Sequence, residues 1–419
     1  MTAEAEDDDE DEDEDASFRL PPIRQQRKIM GRWPASTLAS EKEKRVNPGE
    51  TARSAEARLA SIAPIVRGLL ATPSGDDDRP WRRVIVQSRA EAAARPEPQP
   101  AALRLDALDP DAAPETLRER IASALAARRP EAILLPGAGI FRVLTDAPDP
   151  HRPLENETAL VTGAAGAIGA AICRELLAWG CRVAATDLPG ERLDGLAAEF
   201  QKTAPGRIAG IPLDVTDERS VKSGFDRATL EWGGVDIVIA NAGIPLIASL
   251  VEMRLEDFRR LERVNVEGTL LTLAEAGRRM RLQGTGGDIV LISTKNVFSP
   301  GARFGAYSAT KAAAHQLARI ASLEMAEFGV RVNMVAPDAV FGDADRKSGL
   351  WEAIGPDRMR DKGLDAQALQ EYYRKRNLLK ARVTAQHVAE AVLFLVARRT
   401  PTTGATIPVD GGLPDATPR

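Results

Sequence analysis

The sequence predicts an α/β protein whose main part is a doubly wound, parallel seven-stranded sheet, preceded by a small α/β lobe and a disordered acidic tail. From residue 158 to the end of the chain, short apolar strands alternate with helices, a pattern that implies parallel strands joined by crossovers and covered on both faces. Hydrophobic residues make up 43% of the chain and aromatic residues only 4%, which favours an aliphatic core between such layers. Residues 6–15 are all acidic, and a block of like charges repels itself and stays unfolded.

Three regions follow one another along the chain. Residues 1–50 are expected to form the tail and a basic, proline-containing linker, residues 51–150 the lobe, and residues 155–419 the main domain. The seven strands of the main domain are read from the apolar runs TALVTG, RVAATD, IAGIPLD, VDIVIANAG, DIVLIST, VRVNMVAP and ATIPVDGG.

The lobe has the pattern of a helix followed by a β–α–β unit. Residues 51–70 have helical apolar spacing, interrupted by Pro64, where a kink is expected. Strands are predicted at residues 82–87 and 131–135, with a helix over 116–127 between them. The glycine-containing turn PGAGIF comes next, but no amphipathic helix follows it, which favours a structural turn over a phosphate site.

Composition also limits which cellular compartment and which classes of partner are expected. The two cysteines, Cys173 and Cys181, form no C-x-x-C pair, so a disulfide framework and a zinc finger are excluded, and reduced thiols are expected. No apolar run approaches the ~18 residues of a membrane span, and the acidic start is the opposite of a secretory signal. We expect a cytoplasmic protein that binds a small molecule, with no membrane or nucleic-acid partner, since the basic linker lacks interleaved aromatic residues.

The first strand of the main domain ends in a glycine-rich turn that opens a helix. Its spacing is G-x-x-G-x-x-G, formed by Gly163, Gly166 and Gly169, with Thr162 and Ile168 beside them. Glycines let the backbone approach a pyrophosphate, and the helix N-terminus supplies N–H groups and the positive end of a dipole. The turn resembles the dinucleotide-binding turn of the Rossmann fold.

The second strand ends in Asp187, 18 residues after Gly169. A carboxylate at this place can accept hydrogen bonds from the ribose hydroxyls of an adenosine and would repel a 2′-phosphate. The next residues, Leu188 and Pro189, offer no cation to such a phosphate. The sequence therefore favours NAD over NADP, the alternative being that Asp187 only caps the turn.

Four polar residues fit one proton-transfer mechanism. Tyr307 and Lys311 are four residues apart and share a helix face, where an ammonium is expected to lower the tyrosine pKa. Tyr307 could then take the proton of an alcohol while a hydride leaves for the nicotinamide. Thr294, at the end of a strand, could hold the substrate oxygen, and Asn265, between two valines, could seat a water of a proton relay.

Taken together, these segments resemble the classical short-chain dehydrogenase/reductase family. TGAAGAIG, ANAG, VN, YSATK and VDGG occur in the order and spacing of that family over about 260 residues, from Ala159 to the end of the chain. The resemblance implies Asn265, Thr294, Tyr307 and Lys311 as the catalytic tetrad. It further implies that the cofactor is contacted by Asp214 and Val215 at the adenine, by Asn241 beside it, and by Tyr307 and Lys311, with Lys311 at the nicotinamide ribose.

Two positions depart from the family pattern. Thr294 stands where the family usually has serine, and Pro337-Asp338 replaces the usual Pro-Gly, so cofactor contacts in that loop are in question. Threonine keeps the hydroxyl, while strand alternation is expected to point Ser293 to the opposite face. The departures motivate an alternative function, a cofactor-binding sensor or scaffold that has lost its chemistry.

A narrower resemblance is to the dehydrogenase half of bifunctional aldolase/short-chain dehydrogenases, which act on deoxysugar breakdown products. It is carried by STKN, PDAVF, EYYRKRNLLK, VAEAVLFL and, in the lobe, EAILLPGAGIF. The aldolase half of those proteins binds zinc through several histidines. This chain has only His151, His315 and His387, none in an H-x-H pair, so no metal site is expected.

An insert over about residues 342–380 is too long for a simple turn. It follows the sixth strand, on the edge where open α/β sheets bind ligands, and is expected to form a helical lid anchored by Trp351, Tyr372 and Tyr373. Five cations on it are expected either to clamp a substrate phosphate or carboxylate, or to form a solvated face: Arg346, Lys347, Arg374, Lys375 and Arg376.

These inferences combine into one predicted activity. The sequence predicts an NAD-dependent oxidoreductase that transfers a hydride between the nicotinamide and the CH–OH group of a polyol, hydroxyaldehyde or deoxysugar, phosphorylated or not. The family resemblance also implies a homodimer or homotetramer that pairs through the helices over residues 255–282 and 307–328.

Overall fold

The computed structural model describes residues 48–90, 102–126, 129–145, 149, 151–342 and 346–413. The predicted acidic tail and its expected disorder lie outside the described residues, as does most of the predicted loop at 93–102.

A seven-stranded parallel sheet organises the main domain, as the sequence predicts. Its strand order is β13-β12-β11-β10-β7-β8-β9, and every neighbouring pair is parallel. The chain therefore winds outwards from β7 in one direction and then returns to the other side of it at β10. The strands are β7 (Thr158–Thr162), β8 (Arg182–Asp187), β9 (Ile208–Pro212), β10 (Ile237–Ala240), β11 (Gly287–Ile292), β12 (Val330–Pro337) and β13 (Thr406–Val409).

Helices cover both faces of this sheet. One aliphatic cluster lies beneath α3, α4 and α11, and a second lies beneath α5, α7 and α8. The five inner strands are buried nearly throughout, as parallel strands between two helical layers must be, whereas the edge strands β9 and β13 are only partly buried. The helices are α3 (Ala167–Ala178), α4 (Glu191–Thr203), α5 (Glu218–Trp232), α6 (Leu255–Glu262), α7 (Gly268–Gln283), α8 (Gly305–Glu324), α9 (Gly349–Lys362), α10 (Ala366–Arg376) and α11 (Ala385–Val396).

Local sequence signals set several helix ends. The Asp217 carboxylate accepts from the Arg219 N–H at the start of α5, and Gly233 ends that helix in the left-handed conformation, with φ of 88°. Thr384 and His387 form a reciprocal capping box at the start of α11.

The lobe comprises α1 (Pro48–Leu70), α2 (Pro114–Leu125) and six short strands, β1 (Thr72–Pro73), β2 (Trp81–Arg82), β3 (Ile85–Ala90), β4 (Leu103–Arg104), β5 (Ala132–Leu135) and β6 (Gly139–Leu144). It is richer in strands than the predicted β–α–β unit, with a mixed four-stranded sheet of order β3-β6-β5-β4. Helix α1 runs unbroken through Pro64. The PGAGIF glycines form the tight turn between antiparallel β5 and β6, which confirms a structural turn.

The lobe packs against α5, α7 and the amino-terminal edge of the parallel sheet. Arg67 of α1 is completely buried and donates to both carboxylate oxygens of Asp236, at 2.8 and 2.7 Å, just before β10. Arg83 donates to Glu157 just before β7 and lies 3.0 Å from Asp236. We call Arg67, Arg83, Glu157 and Asp236 the buried clasp.

Helices α9 and α10 fill the insert between β12 and α11. Their aromatic anchors form a cluster: the rings of Phe341 and Trp351 stack with centroids 4.2 Å apart, and Tyr373 packs edge-on against both. None of the described helices is long and apolar enough to cross a membrane.

Candidate active site

A cavity of about 840 Å³ opens at the carboxyl-terminal edge of the parallel sheet. It lies where β7 and β10 meet and the winding direction reverses, the place where doubly wound sheets bind ligands. Its walls come from the glycine-rich turn, the segments after β8 to β12, helix α8 and the insert, and none of the described lobe residues lines it.

The glycine-rich turn lies at one end of the cavity, and its glycines are required by close backbone contacts. Gly163 has a φ of 63°, and a Cβ there would lie 2.9 Å from the Ala242 Cα. A Cβ on Gly169 would lie 2.4 Å from the Gly163 carbonyl oxygen. Gly166 is the N-cap of α3 and gives its first N–H groups no side-chain acceptor, and such N–H groups have no partner within the helix. Together with Ile168, these glycines line the cavity.

Thr162 and Asn241 stabilise this turn through hydrogen bonds. The Asn241 side-chain amide donates to the carbonyls of Thr162 and Gly163, each at 2.9 Å. The Thr162 hydroxyl accepts from the backbone N–H groups of Asn241 and Ala242. Asn241 lines the cavity, whereas Thr162 is 1% exposed and does not. Thr162 therefore supports the turn through its hydrogen bonds without reaching the cavity.

Asp187 lies at the end of β8 and lines the cavity beside the turn. Its two oxygens accept from the N–H groups of Ala165 and Leu188, at 2.9 and 2.8 Å. Two cations also lie here: Arg192, which no sequence motif indicated, and Arg346, one of the five cations of the predicted clamp. Arg192 and Arg346 both lie near the Ala165 carbonyl, at 3.4 and 3.5 Å, and Arg192 lines the cavity.

Asp214 and Val215 follow β9 and line the same end of the cavity. The Asp214 carboxylate accepts from the backbone N–H and the hydroxyl of Thr216, at 2.9 and 2.8 Å, which fixes the turn. Val215 is buried and packs against Gly268 of α7, where a Cβ would collide with the valine methyl.

Tyr307, on the first turns of α8, is buried against Phe304, Ile247 and Ile354. Burial disfavours the phenolate and raises the pKa of Tyr307 to about 12, although a hydrogen bond from the Thr294 hydroxyl opposes the shift. The net shift is upward, opposite to the lowering expected from Lys311, because loss of solvation outweighs the favourable contacts. The tyrosine is therefore protonated at neutral pH in the structure.

Lys311 lies one turn further along α8 and is also buried. Its ammonium donates to the Ile292 carbonyl at 2.7 Å, which fixes it at the end of β11. Burial alone lowers the pKa of Lys311 to about 8, so the ammonium is still largely protonated at pH 7.

Thr294 and Ser293 separate at the end of β11, as strand alternation predicts. The Ser293 hydroxyl bonds to the His315 ring at 3.0 Å, within the protein. The Thr294 hydroxyl is directed to Tyr307 and also accepts from the Asn296 N–H at 3.3 Å, which begins the short turn Lys295–Val297.

Asn265 lies in a π-helical turn, Arg263–Glu267, inserted between α6 and α7. Its side chain bonds to both backbone groups of Ile244, accepting from the N–H at 2.9 Å and donating to the carbonyl at 3.0 Å. It also donates to the Thr310 hydroxyl at 3.1 Å. Asn265 thus joins the loop after β10 to α8, and the predicted role in a water relay stays a prediction.

The predicted cation cluster of the insert is dispersed. Arg374 and Lys375 are ion-paired to Glu371 on an exposed face, and Arg346 is paired to Glu199. Of the five cations, only Arg376 lines the cavity, where it donates to both oxygens of Asp338. The clamp as predicted is therefore wrong, because four of its five members do not line the cavity.

Two other cations line the substrate end of the cavity and were missed. Lys295 directly follows Thr294, and Arg358 lies in the middle of α9. Only the fold shows that both reach the site, although the position of Lys295 next to a predicted catalytic residue was a usable signal. Thr310, which supports Asn265 from α8, was missed for the same reason.

Residues 157–353 match the family model described as short chain dehydrogenase. A sorbitol dehydrogenase from Cereibacter sphaeroides is 36% identical over 190 residues, which cover 45% of this chain and 73% of that protein. The chain belongs to the short-chain dehydrogenase family. It is therefore an oxidoreductase by family, and its fingerprint turn, Tyr307 and Lys311 lie together in the cavity.

Other members of the short-chain dehydrogenase family extend the comparison. The uncharacterized oxidoreductase YuxG of Bacillus subtilis is 38% identical over 276 residues, 65% of this chain but only 39% of YuxG. Among solved structures, sorbitol-6-phosphate 2-dehydrogenase SrlD from Erwinia amylovora matches with a TM-score of 0.57 and 28% identity, over 61% of this chain and 98% of that one.

Proposed function

We propose that this short-chain dehydrogenase uses NAD to oxidise a secondary alcohol of a small polyol or related hydroxy compound, and to reduce the corresponding carbonyl. The observation that carries the proposal is that Tyr307, Lys311 and the hydroxyl of Thr294 line one cavity together with the glycine-rich turn. A general acid–base group, a fixed hydroxyl and a dinucleotide cradle are what hydride transfer at a CH–OH carbon requires.

The residues present fit a dinucleotide. The positive φ of Gly163 and the close contact of Gly169 leave a cradle that any Cβ would fill, and the N-terminus of α3 opens beside it. Asp187, Asp214 and Val215 would hold the adenosine end, and Lys311 the nicotinamide ribose. NAD, when bound, accepts the hydride from the alcohol carbon.

The protein's own groups then handle the proton and the oxygen. Thr294 donates to the substrate oxygen and holds it beside Tyr307. Tyr307 takes the hydroxyl proton during oxidation and returns it during reduction. The Lys311 ammonium stabilises the phenolate form that has to be reached from a pKa of about 12. Asn265 joins the loop after β10 to α8 by hydrogen bonds and so fixes the position of the helix that carries Tyr307 and Lys311.

The preference for NAD rests on the Asp187 carboxylate. Each of its oxygens accepts one backbone N–H and keeps a further lone pair for a ribose hydroxyl. A 2′-phosphate at that position would meet this negative charge, while Arg192 on the other side would attract it. We give the carboxylate the larger weight because it lies at the strand end, where the ribose is held in doubly wound folds.

The substrate class is argued from the cavity and from the relatives. The substrate end is walled by Phe304, Ile247 and Trp351 and contains several polar groups, which suits a small polyhydroxy compound. Relatives named for sorbitol and for sorbitol 6-phosphate point the same way. The narrower resemblance to bifunctional aldolase/short-chain dehydrogenases belongs to the same proposal, and the match to only part of YuxG accords with it.

Three further expectations belong to the proposal. Helices α9 and α10 act as a lid that excludes water from the reacting carbon. Three exposed apolar side chains on α7 and α8 support pairing of two subunits through these helices: Leu270, Ile320 and Leu323. A mass of 45.1 kDa by light scattering, the mass of one chain, would refute this pairing. Two buried free thiols, Cys173 and Cys181, accord with action in the reducing cytoplasm.

The decisive experiment compares wild type with Tyr307→Phe. Wild type should reduce NAD with at least one member of a panel of polyols, deoxysugars and lactaldehyde. The variant should lose turnover by at least about 1,000-fold, since it keeps the ring but has no proton to exchange, while NADH binding followed by fluorescence is retained. Full activity in Tyr307→Phe would refute the mechanism, and NADH binding by a wild type that oxidises nothing would favour the sensor or scaffold.

A further inference from the structure

The substrate end of the cavity carries a group of cations that the proposed reaction does not use. Lys295, Arg358 and Arg376 all line it together with Thr294 and Tyr307. Each comes from a different element: the short turn after β11, helix α9 and the end of α10. Their convergence is therefore a product of the tertiary fold, and it shares only Arg376 with the cluster expected from the sequence.

The two arginines are held in place rather than free. Arg358 lies over the Phe304 ring, 5.2 Å from its centroid, and donates to the Tyr373 hydroxyl at 3.2 and 3.1 Å. Arg376 lies over the Tyr373 ring at 4.2 Å and is ion-paired to Asp338. Stacking and hydrogen bonding of this kind fix the direction of a guanidinium before a ligand arrives.

Lys295 is different, because among the described residues no ion pair balances it. Within the described part of the chain its ammonium donates to one neutral group, the Ser299 carbonyl at 3.0 Å, and no carboxylate lies within ion-pairing distance. It is more than half buried, and burial together with Arg376 and Arg358 lowers its pKa, against the opposing charge of Asp338. A half-buried cation among cations is electrostatically unfavourable until an anion joins it.

The nearby carboxylates are already engaged. Asp338 is paired with Arg376, and Asp361 is paired with Arg303 and lies 3.9 Å from Arg358. Asp357 also lines the cavity but is paired with Arg360 on the exposed side of α9. The wall formed by Lys295, Arg358 and Arg376 thus keeps an excess of positive charge facing the cavity.

We propose that Lys295, with Arg358 and Arg376, forms an anion subsite, so that the preferred substrate carries a phosphate ester or a carboxylate a few atoms from the carbon that is oxidised. The inference deepens the proposed function and rests on it for the position of the reacting carbon. Lys295 follows Thr294 directly, so the group that holds the substrate oxygen and the group that holds the anion are neighbours in the chain. A small substrate can therefore reach both.

The alternative is that the cations only hold the insert together. That explains Arg358 and Arg376, whose partners lie within or beside the insert. It does not explain Lys295, which lies on the turn after β11 and has no partner of opposite charge within ion-pairing distance among the described residues. Lys295 is therefore the residue on which the test turns.

The test uses the full-length chain and compares Lys295→Met with Lys375→Met. Both variants replace a lysine by methionine and remove one charge, but Lys375 is exposed, paired with Glu371 and outside the cavity. The first probe is inorganic phosphate, followed by thermal unfolding. Wild type and Lys375→Met should be stabilised by phosphate at millimolar concentration, and Lys295→Met should lose most of that shift. Equal shifts in all three proteins, or none in wild type, would overturn the subsite.

The second probe is turnover with D-sorbitol, D-sorbitol 6-phosphate and D-gluconate, each with NAD. An anionic substrate should be preferred at least about tenfold in kcat/KM, since a charge-assisted contact is stronger than a neutral one. Lys295→Met should lose that preference, because its kcat/KM should fall far more with the anionic substrates than with sorbitol, whereas Lys375→Met should keep both the preference and the wild-type rate with sorbitol. The better of the two anions identifies phosphate or carboxylate. If sorbitol is oxidised as well as both anions, the subsite is wrong and the proposed dehydrogenase stands. If no compound is oxidised, the phosphate shift still decides the subsite, and the proposed function fails.

Discussion

At the scale of single residues, the pKa values of Tyr307 and Lys311 are shifted in opposite directions, away from each other. Burial raises the pKa of Tyr307 to about 12 and lowers that of Lys311 to about 8, because in both cases it favours the neutral form. Oxidation needs the phenolate together with the ammonium. Below pH 8 the ammonium is present and the phenolate fraction rises tenfold per pH unit. Above pH 8 the gain in phenolate is cancelled by the loss of ammonium.

The resulting prediction is that kcat/KM for alcohol oxidation rises with a slope near 1 up to about pH 8 and then levels off. Carbonyl reduction needs the tyrosine protonated and the Lys311 ammonium present. Tyr307 stays protonated well above pH 8, so kcat/KM for reduction should be flat below pH 8 and fall above it as the ammonium is lost. Initial rates in both directions on one substrate pair, over pH 6 to about 10, test this. An oxidation profile that is flat between pH 6 and 8 would contradict it.

The second residue-scale prediction concerns Asp187, which has a structural role as well as a charge. Asp187→Asn keeps an oxygen that can accept from Ala165 N–H, whereas Asp187→Ala would also loosen the turn. Asp187→Asn should therefore raise kcat/KM with NADP several-fold and lower it with NAD by less than about tenfold, consistent with the modest net value of a single ribose contact.

The matched control for Asp187 is Arg192→Met. This change removes a nearby cation and should reduce turnover with NADP in the Asp187→Asn background. Steady-state kinetics with both cofactors measure the ratio. Equal kcat/KM for NAD and NADP in wild type would remove the basis of the cofactor assignment.

The residues that carry chemistry were predictable to the extent that they lie in local motifs. The turn glycines, Asp187 and the Tyr307/Lys311 pair have fixed spacing along one chain segment, so pattern alone locates them. The direction of the Tyr307 pKa shift was not predictable, because it depends on packing against Phe304 at the start of the same helix and against Ile247 and Ile354 from two other segments.

At the scale of elements, the insert was also predictable only in the features that depend on local sequence. Its length and aromatic residues predicted a structured segment above the site, and α9 and α10 fill it. Which of its cations face the cavity depends on how the two helices cross and on partners elsewhere, such as Asp338, 38 residues from Arg376. Charge runs in a sequence do not specify direction, and here Arg374 and Lys375 face solvent.

The prediction for this element uses Trp351, which stacks on Phe341 and meets Tyr373 at 5.0 Å. Trp351→Ala should loosen the insert and lower kcat/KM by about 2- to 10-fold, the equivalent of one aromatic pair of about 0.5–1.5 kcal/mol. The melting temperature should change little, because the cluster lies outside the two cores that cover the sheet.

The control for Trp351→Ala is Leu379→Ala, on the same insert. Leu379 is 77% exposed, so its removal should leave kcat/KM and stability unchanged. If both variants behave alike, or if Trp351→Ala retains the full kcat/KM, the insert does not act on the substrate.

At the scale of the whole molecule, the lobe and the parallel sheet are joined through buried charges. Although burial alone would raise the pKa of Asp236, Arg67 and Arg83 hold it below its usual range, and Thr158 donates to the same carboxylate. Asp236 and Thr158 lie at the starts of β10 and β7, whose other ends form the cofactor turn. Arg67 and Asp236 are 169 residues apart, so no sequence pattern shows their pairing.

The last prediction is that Arg67 contributes far more to stability than a surface arginine on the same helix. Arg67→Met would leave Asp236 buried with only Arg83 as its cation, and breaking a buried pair costs about 3–5 kcal/mol of unfolding free energy. Arg58→Met removes an exposed pair with Asp111, which is worth about 0–1 kcal/mol. Urea unfolding of wild type and both variants measures the difference. NADH affinity is measured in parallel, because Asp236 directly precedes β10, whose other end lies at the cavity. If the two variants unfold at the same urea concentration, the buried clasp does not hold the lobe to the sheet. The lobe would then have to be joined to the main domain by its apolar contacts with α5 and α7 alone.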